Sequence, residues 1–268
     1  MRIPLYQVDA FTARPFTGNP AAVCPLPSWL PDATLQAIAA ENNLAETAFF
    51  VPRGEDYELR WFTPRVEVDL CGHATLASGK VVLDCLRPGL DSVRFHSKSG
   101  PLGVARDGEL FALDFPARPP EPSGDGTEVA AALRALPMEV LASSTMGLAI
   151  FESEREVRAL APDFALVKAL PRLGVIATAA AAADGPAPRA DFVSRFFAPA
   201  AGIDEDPVTG SAHCVLVPYW SKRLSKPNLF ARQISPRGGE LWCEDRGART
   251  RIAGHAVLVI EGMLTVPG

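Results

Sequence analysis

The residues best suited to moving a proton are an acid at the head of an apolar run and two glycine-led segments. Glu46 follows Asn42-Asn43-Leu44 and opens the run Thr47 to Val51. A carboxylate half withdrawn from water between apolar strands is suited to act as general base and general acid. Read without context, the same residue also fits an exposed loop or a helix terminus. Gly72-His73-Ala74 and Gly210-Ser211-Ala212 each begin a helix-like segment, and the free N–H groups and dipole of a helix start favour an anion. Taken singly, Gly72 and Gly210 read as tight turns into buried helices. As a pair they read as a clamp for a carboxylate. Asp206 lies in Asp204-Glu205-Asp206-Pro207, just ahead of the second glycine. Three acids so close repel one another, so at least one is expected to face a cation such as His73 or an incoming ammonium group. Arg60 and Arg195, before aromatic strands, read as structural, and Cys71, Cys214 and His213 as core.

These candidates fall into two series. Pro31-Asp32-x-x-Leu35 recurs as Pro162-Asp163-x-x-Leu166, 131 residues later. At that same offset Ala45-Glu46-Thr47-Ala48 meets Ile176-Ala177-Thr178-Ala179, which sets Ala177 against Glu46. Arg60-Trp61-Phe62-Thr63-Pro64 matches Arg195-Phe196-Phe197-Ala198-Pro199, and Cys71-Gly72-His73-Ala74 matches Thr209-Gly210-Ser211-Ala212. Four matches in the same order indicate a duplicated unit.

Each unit reads strand, helix, two strands, glycine-led helix, then strands. Asp32 and Asp163 are placed as helix N-caps, with Leu35/Ile38 and Leu166/Ala169/Leu170 facing inward. Strands are expected over 47–51, 57–62, 175–180 and 192–197, a hairpin at Asp107-Gly108, and a last hairpin over 256–266. The helices after Gly72 and Gly210 are apolar nearly all round and must be buried. The fold class is therefore α+β: two pseudo-symmetric halves, each a curved, mostly antiparallel sheet rolled around a central helix. The first half is 1–118, with Glu46 and Gly72-His73. The second is 128–268, with Asp206 and Gly210-Ser211, and its last strand is expected to cross back to the first. The Pro-, Gly- and Ser-rich run 116–127 between them reads as a linker.

Composition bounds what such a protein can do. The 268 residues are 48% hydrophobic and 21% charged, ample for a folded core. With 26 basic and 31 acidic side chains the net charge is −5, which offers no nucleic-acid surface. The longest Ala-rich uncharged run, Val175 to Ala183, is far short of the ~20 residues a membrane span needs. The opening MRIPLYQVDAF reads as a strand and not as a secretion signal, so the cytoplasm is expected. Five scattered cysteines fit reduced thiols, and four histidines without metal-ligand spacing give no metal.

Several ordered motifs also carry a resemblance. Val8-Asp9-Ala10-Phe11-Thr12, Phe16-Thr17-Gly18-Asn19-Pro20-Ala21-Ala22-Val23, Asn43-Leu44-Ala45-Glu46-Thr47-Ala48-Phe49, Arg60 to Pro64, Leu70 to Thr75 and Asp204 to Ala212 resemble the PhzF family of phenazine-biosynthesis-like isomerases. The resemblance implies the diaminopimelate epimerase fold, with an active site between the halves, no cofactor, and a homodimer acting on a small-molecule acid. It implies Glu46 as the acid/base, with His73 and Asp206 as further catalytic groups and Gly72, Gly210 and Ser211 binding substrate. In diaminopimelate epimerase itself a cysteine from each half serves as base; here Cys71 holds one such position and Thr209 the other, which disfavours two-thiol racemisation. A buffer anion is expected at the two glycine-led helix starts. An amino-acid racemase using Glu46 with Cys71 or Asp206, and a non-catalytic protein that keeps the cleft, stay open as alternatives.

Overall fold

The computed structural model describes residues 1–266. Pro267 and Gly268, the end of the expected second half, lie outside the described residues. The chain forms two compact units, Met1–Asp114 with the chain from Ala253 onward, and Phe115–Ile252.

The first unit holds β1 (Arg2–Ala10), β2 (Asn19–Pro25), α1 (Asp32–Asn42), β3 (Glu46–Arg53), β4 (Asp56–Phe62), β5 (Glu67–Val68), α2 (Gly72–Lys80), β6 (Ser92–Ser97), β7 (Gly100–Asp107) and most of β8 (Leu110–Pro116). The second holds β9 (Glu121–Pro122), α3 (Gly126–Leu133), β10 (Glu139–Ala142), β11 (Met146–Ile150), α4 (Glu154–Ala159), α5 (Phe164–Ala169), β12 (Gly174–Ala180), β13 (Phe192–Ala198), β14 (Ile203–Asp206), α6 (Gly210–Leu224), β15 (Asn228–Gln233), β16 (Gly239–Asp245) and most of β17 (Arg249–Gly254). The final strand, β18 (Ala256–Thr265), pairs antiparallel with β1 along its whole length and belongs to the first unit. It is one strand where a hairpin was expected, because β1 gives it a continuous partner from Arg2 to Ala10 and no turn is needed.

The two units repeat one pairing scheme. β1–β2 is antiparallel, β2–β3 parallel, β3–β4 and β4–β5 antiparallel, β4–β6 parallel and β6–β7 antiparallel. β10–β11, β11–β12, β12–β13, β13–β14, β13–β15 and β15–β16 follow in the same senses. In the first unit α2 packs against β1, β2, β3, β7 and β18, and every residue from His73 to Gly79 is buried. In the second, α6 lies on β15 and β16, with Trp220 stacked on Phe192 at 5.5 Å and its indole N–H donated to Thr178 Oγ1 at 3.0 Å. Burial on all sides, from His73 to Gly79 in α2 and from Ala212 to Val217 in α6, explains the apolar composition of both segments.

The run 116–127 is not a free linker. Pro218 lies inside α6 and has no N–H to give the carbonyl of Cys214 one turn earlier. The N–H of Arg118 takes its place at 2.9 Å, and Ala117 N–H donates to Ala248 O, so the proline-rich segment is docked on the second unit. Asp163 is the N-cap of α5, accepting from Ala165 and Leu166 N–H. Asp32 is not a cap: Pro31 holds that position, and Asp32, in the first turn of α1, accepts from Arg60 at 2.9 Å. Val167 of α5 is buried and so, just past its end, is Leu170 as expected, while Leu166 and Ala169 are exposed. Among the described residues no helix is long and apolar enough to cross a membrane, and all five cysteines are free thiols.

Candidate active site

Strand β2 organises the first unit's chemistry. Its first residue, Asn19, is fully buried, and Ala21 sits opposite Glu46 in the parallel pairing with β3. Gly18, at φ +67, makes the sharp entry possible, since a Cβ there would come within 2.3 Å of Ala10 O. From the other side β4 and β5 deliver Cys71, the extended N-cap of α2, and His73 in its first turn. Sequence segments 25 and more residues apart thereby converge.

His73 is the hub. Its Nε2 lies 3.1 Å from Oε2 of Glu46, and its Nδ1 is 3.1 Å from the Asn19 amide nitrogen and 3.5 Å from Cys71 Sγ. The Glu46–His73 contact is within ion-pair range but off the hydrogen-bond line, and that carboxylate oxygen, closed to solvent, has no hydrogen-bond partner. The Glu46 side chain keeps 14% exposure, against 5% for His73. Burial, the largest influence, lowers the proton affinity of His73, but the neighbouring Cys71 and Glu46 outweigh it and raise its pKa well above the ordinary value. The Cys71 thiol is pushed up to about 11, first by burial and then by the Glu46 charge, so at neutral pH it stays a thiol. Glu46, Cys71 and His73 present ligand atoms within 4.8 Å of one another, a cluster that sequence spacing could not reveal because it is assembled across strands.

The second unit's helix start is built differently. Thr209, the extended N-cap of α6, does not cap its own helix; its hydroxyl donates to Asp206 Oδ2 at 2.5 Å. Gln233 accepts from Thr209 N–H at 2.9 Å and donates to the Asp206 carbonyl at 2.7 Å. Among the three neighbouring acids, Glu205 pairs with Arg195 at 2.7 Å. Gly210 and Ser211 occupy the first turn of α6, as Gly72 and His73 do in α2. His213 is fully buried and donates through Nδ1 to Thr209 O at 2.8 Å, with burial lowering its pKa to about 4.

Strand register corrects the counterpart of Glu46. Arg60 grips Glu67 as Arg195 grips Glu205, and Phe62 stands opposite Glu67 as Phe197 does opposite Glu205. Phe62 in turn faces Thr47, and Phe197 faces Val175. The residue equivalent to Glu46 is thus Gly174, three positions before Ala177. A side chain there would collide with its surroundings: a Cβ would lie 2.3 Å from Phe197 O and 2.9 Å from Phe196. By the same register Asp206 corresponds to Val68.

The sequence profile of the family described as phenazine biosynthesis-like protein (PhzC-PhzF) matches residues 8–262. The chain belongs to the PhzF family. An uncharacterized isomerase of Pseudomonas aeruginosa is 53% identical over 264 residues, covering 98% of this chain and 99% of that protein. The human phenazine biosynthesis-like domain-containing protein is 38% identical over 288 residues, covering 99% of this chain and 100% of the relative. The crystal structure of a PhzF family protein from Enterococcus faecalis has a TM-score of 0.94 at 46% identity, covering 99% of this chain and 100% of that one. A hydroxyproline epimerase from Agrobacterium vitis is similar in fold alone, with a TM-score of 0.57 at 11% identity over 98% of this chain and 91% of that one. The PhzF fold is α+β, with two halves of the diaminopimelate epimerase type.

Proposed function

We propose that this PhzF family protein is a cofactor-independent isomerase in which Glu46 removes a proton from carbon and returns it elsewhere on the same small amino or carboxylic acid. The observation that carries this reading is the Glu46 oxygen: closed to bulk solvent, without a hydrogen-bond partner, and 3.1 Å from His73 Nε2. A carboxylate so placed has a lone pair free for a substrate C–H, and a protonated imidazole beside it offsets charge as the proton moves. Cys71, still a thiol at neutral pH, is a poor second base, which supports proton shuttling by one carboxylate over inversion by two bases.

His73 orients or polarises the substrate. Asp206 joins it in that role, and the N–H groups of Gly72, Gly210 and Ser211 bind the substrate's negative charge. For Asp206, Gly210 and Ser211 the proposal rests on their match to the family's motif. The same match extends it to a homodimer, which we place in the cytoplasm. The test is a screen of small amino and aromatic acids in deuterated solvent. Turnover that places solvent deuterium at the new C–H position supports the reading; an isomerised product free of solvent deuterium across a screen with turnover contradicts a solvent-exchangeable carboxylate as the carrier.

A further inference from the structure

The Glu46–His73 contact requires the imidazole ring to be held in one orientation, and the fold supplies a residue for that purpose. Asn19 is wholly buried, enters β2 through the left-handed Gly18, and sets its amide nitrogen 3.1 Å from Nδ1 of His73. The same strand carries Ala21 opposite Glu46, so one short segment fixes both members of the pair. The titratable groups facing the ring are Glu46 from β3 and Cys71 from the turn into α2. Asp9 of β1, also buried, accepts from Phe16 N–H at 2.7 Å.

We propose that Asn19 is a positioning residue for His73: it holds the ring so that Nε2 keeps its proton and faces Glu46, and Nδ1 is the nitrogen that gains and loses a proton. The chemistry of a primary amide permits this. Its NH2 donates to a bare Nδ1 when the ring is neutral, and its oxygen, presented by turning the amide over, accepts from Nδ1–H when the ring is charged. In both states Nε2 carries its proton and stays within 3.1 Å of the Glu46 carboxylate, while the second proton comes and goes at Nδ1. A carboxylate in place of the amide would accept from Nδ1–H and so favour the charged ring together with the neutral tautomer that leaves Nε2 bare, and an alkyl group would favour neither nitrogen. This inference rests on the proposed role of the Glu46–His73 pair but concerns the ring itself.

The test is 15N NMR of histidine-labelled protein across a pH titration, with His73→Gln identifying the signal. The wild type should show Nδ1 titrating while Nε2 stays protonated throughout. Asn19→Asp should move the His73 midpoint upward by about one pH unit. Asn19→Leu should mix the two neutral tautomers and lower turnover about tenfold with an altered pH profile. Nε2 titrating in the wild type, or unchanged 15N shifts in folded Asn19→Leu, would overturn the proposal; Asn19→Asp, close in size, keeps the test open should the leucine variant not fold. Since the NMR result needs no substrate, it stands apart from any failure of Glu46 to carry the reaction.

Discussion

The two halves share a frame and differ in what the frame holds. In both, an arginine from the middle of a strand grips a glutamate on the neighbouring short strand, Arg60 on Glu67 at 2.8 Å and Arg195 on Glu205 at 2.7 Å, and lies over the ring two residues later, Phe62 at 5.1 Å and Phe197 at 4.8 Å. Both then lead through an extended N-cap into a buried, glycine-led helix. The chemistry sits where the repeat breaks: Glu46 against Gly174, Val68 against Asp206, Cys71 against Thr209, and His73 against Ser211. In the first half an acid faces an imidazole; in the second an acid is tied to a threonine hydroxyl and a glutamine. A duplicated scaffold can keep its hydrogen-bond frame while each copy takes on separate groups, and the non-equivalent positions are where a function is to be sought.

The sharpest way to break the comparison is to place a side chain where the second half has none. Gly174→Ala should cost about 3 kcal/mol, because the new Cβ meets a backbone carbonyl that cannot move aside. For a chain of this size that is a fall in Tm of roughly 6 °C or more, read by thermal melting. Glu46→Ala, at the equivalent position of the first half, should leave Tm nearly unchanged.

A smaller effect separates the halves by pH. His213 binds a proton near pH 6.5 when unfolded and only near pH 4 when buried, so the unfolded chain takes up the extra proton and stability falls on acidification through that window. Glu67, held down to about 2 by its hydrogen bond with Arg60, contributes stability that is complete above about 4.5 and lost as pH falls toward 2. Denaturant melts of His213→Leu should therefore show a shallower loss between pH 6.5 and 4 and an unchanged loss below it. The smallest expected effect is at Cys71. Cys71→Ala should keep turnover within about tenfold, measured as kcat/KM, since its thiol is protonated and its counterpart is a threonine. A drop of several more powers of ten in a folded variant would give the thiol a part in the proton transfer.

Much of this was legible in the residues. Strand-like apolar runs located β3, β4, β12 and β13, and the all-round apolar segments marked the buried helices after Gly72 and Gly210. The repeat itself was visible, but not its register. Helix and strand matches at offset 131 set Ala177 beside Glu46, whereas strand pairing, which no one-dimensional comparison contains, moves the match to Gly174. The docking of 116–127 depends on a carbonyl that Pro218 leaves unpaired a hundred residues away. Asn19 was in view only as part of a longer motif, since nothing in its neighbours in sequence predicts that its amide meets His73, 54 residues on. Contacts made across parallel strands are set by tertiary pairing, and residue type alone carries no trace of them.

The central claim is that Glu46 carries the proton. Glu46→Gln keeps the size of the side chain and removes its basicity, so substrate should still bind while turnover falls by about 10² to 10⁴, with solvent deuterium entering the substrate in the wild type and not in the variant. Undiminished deuterium exchange in Glu46→Gln would contradict the account and move the base elsewhere, with Asp206 the next candidate.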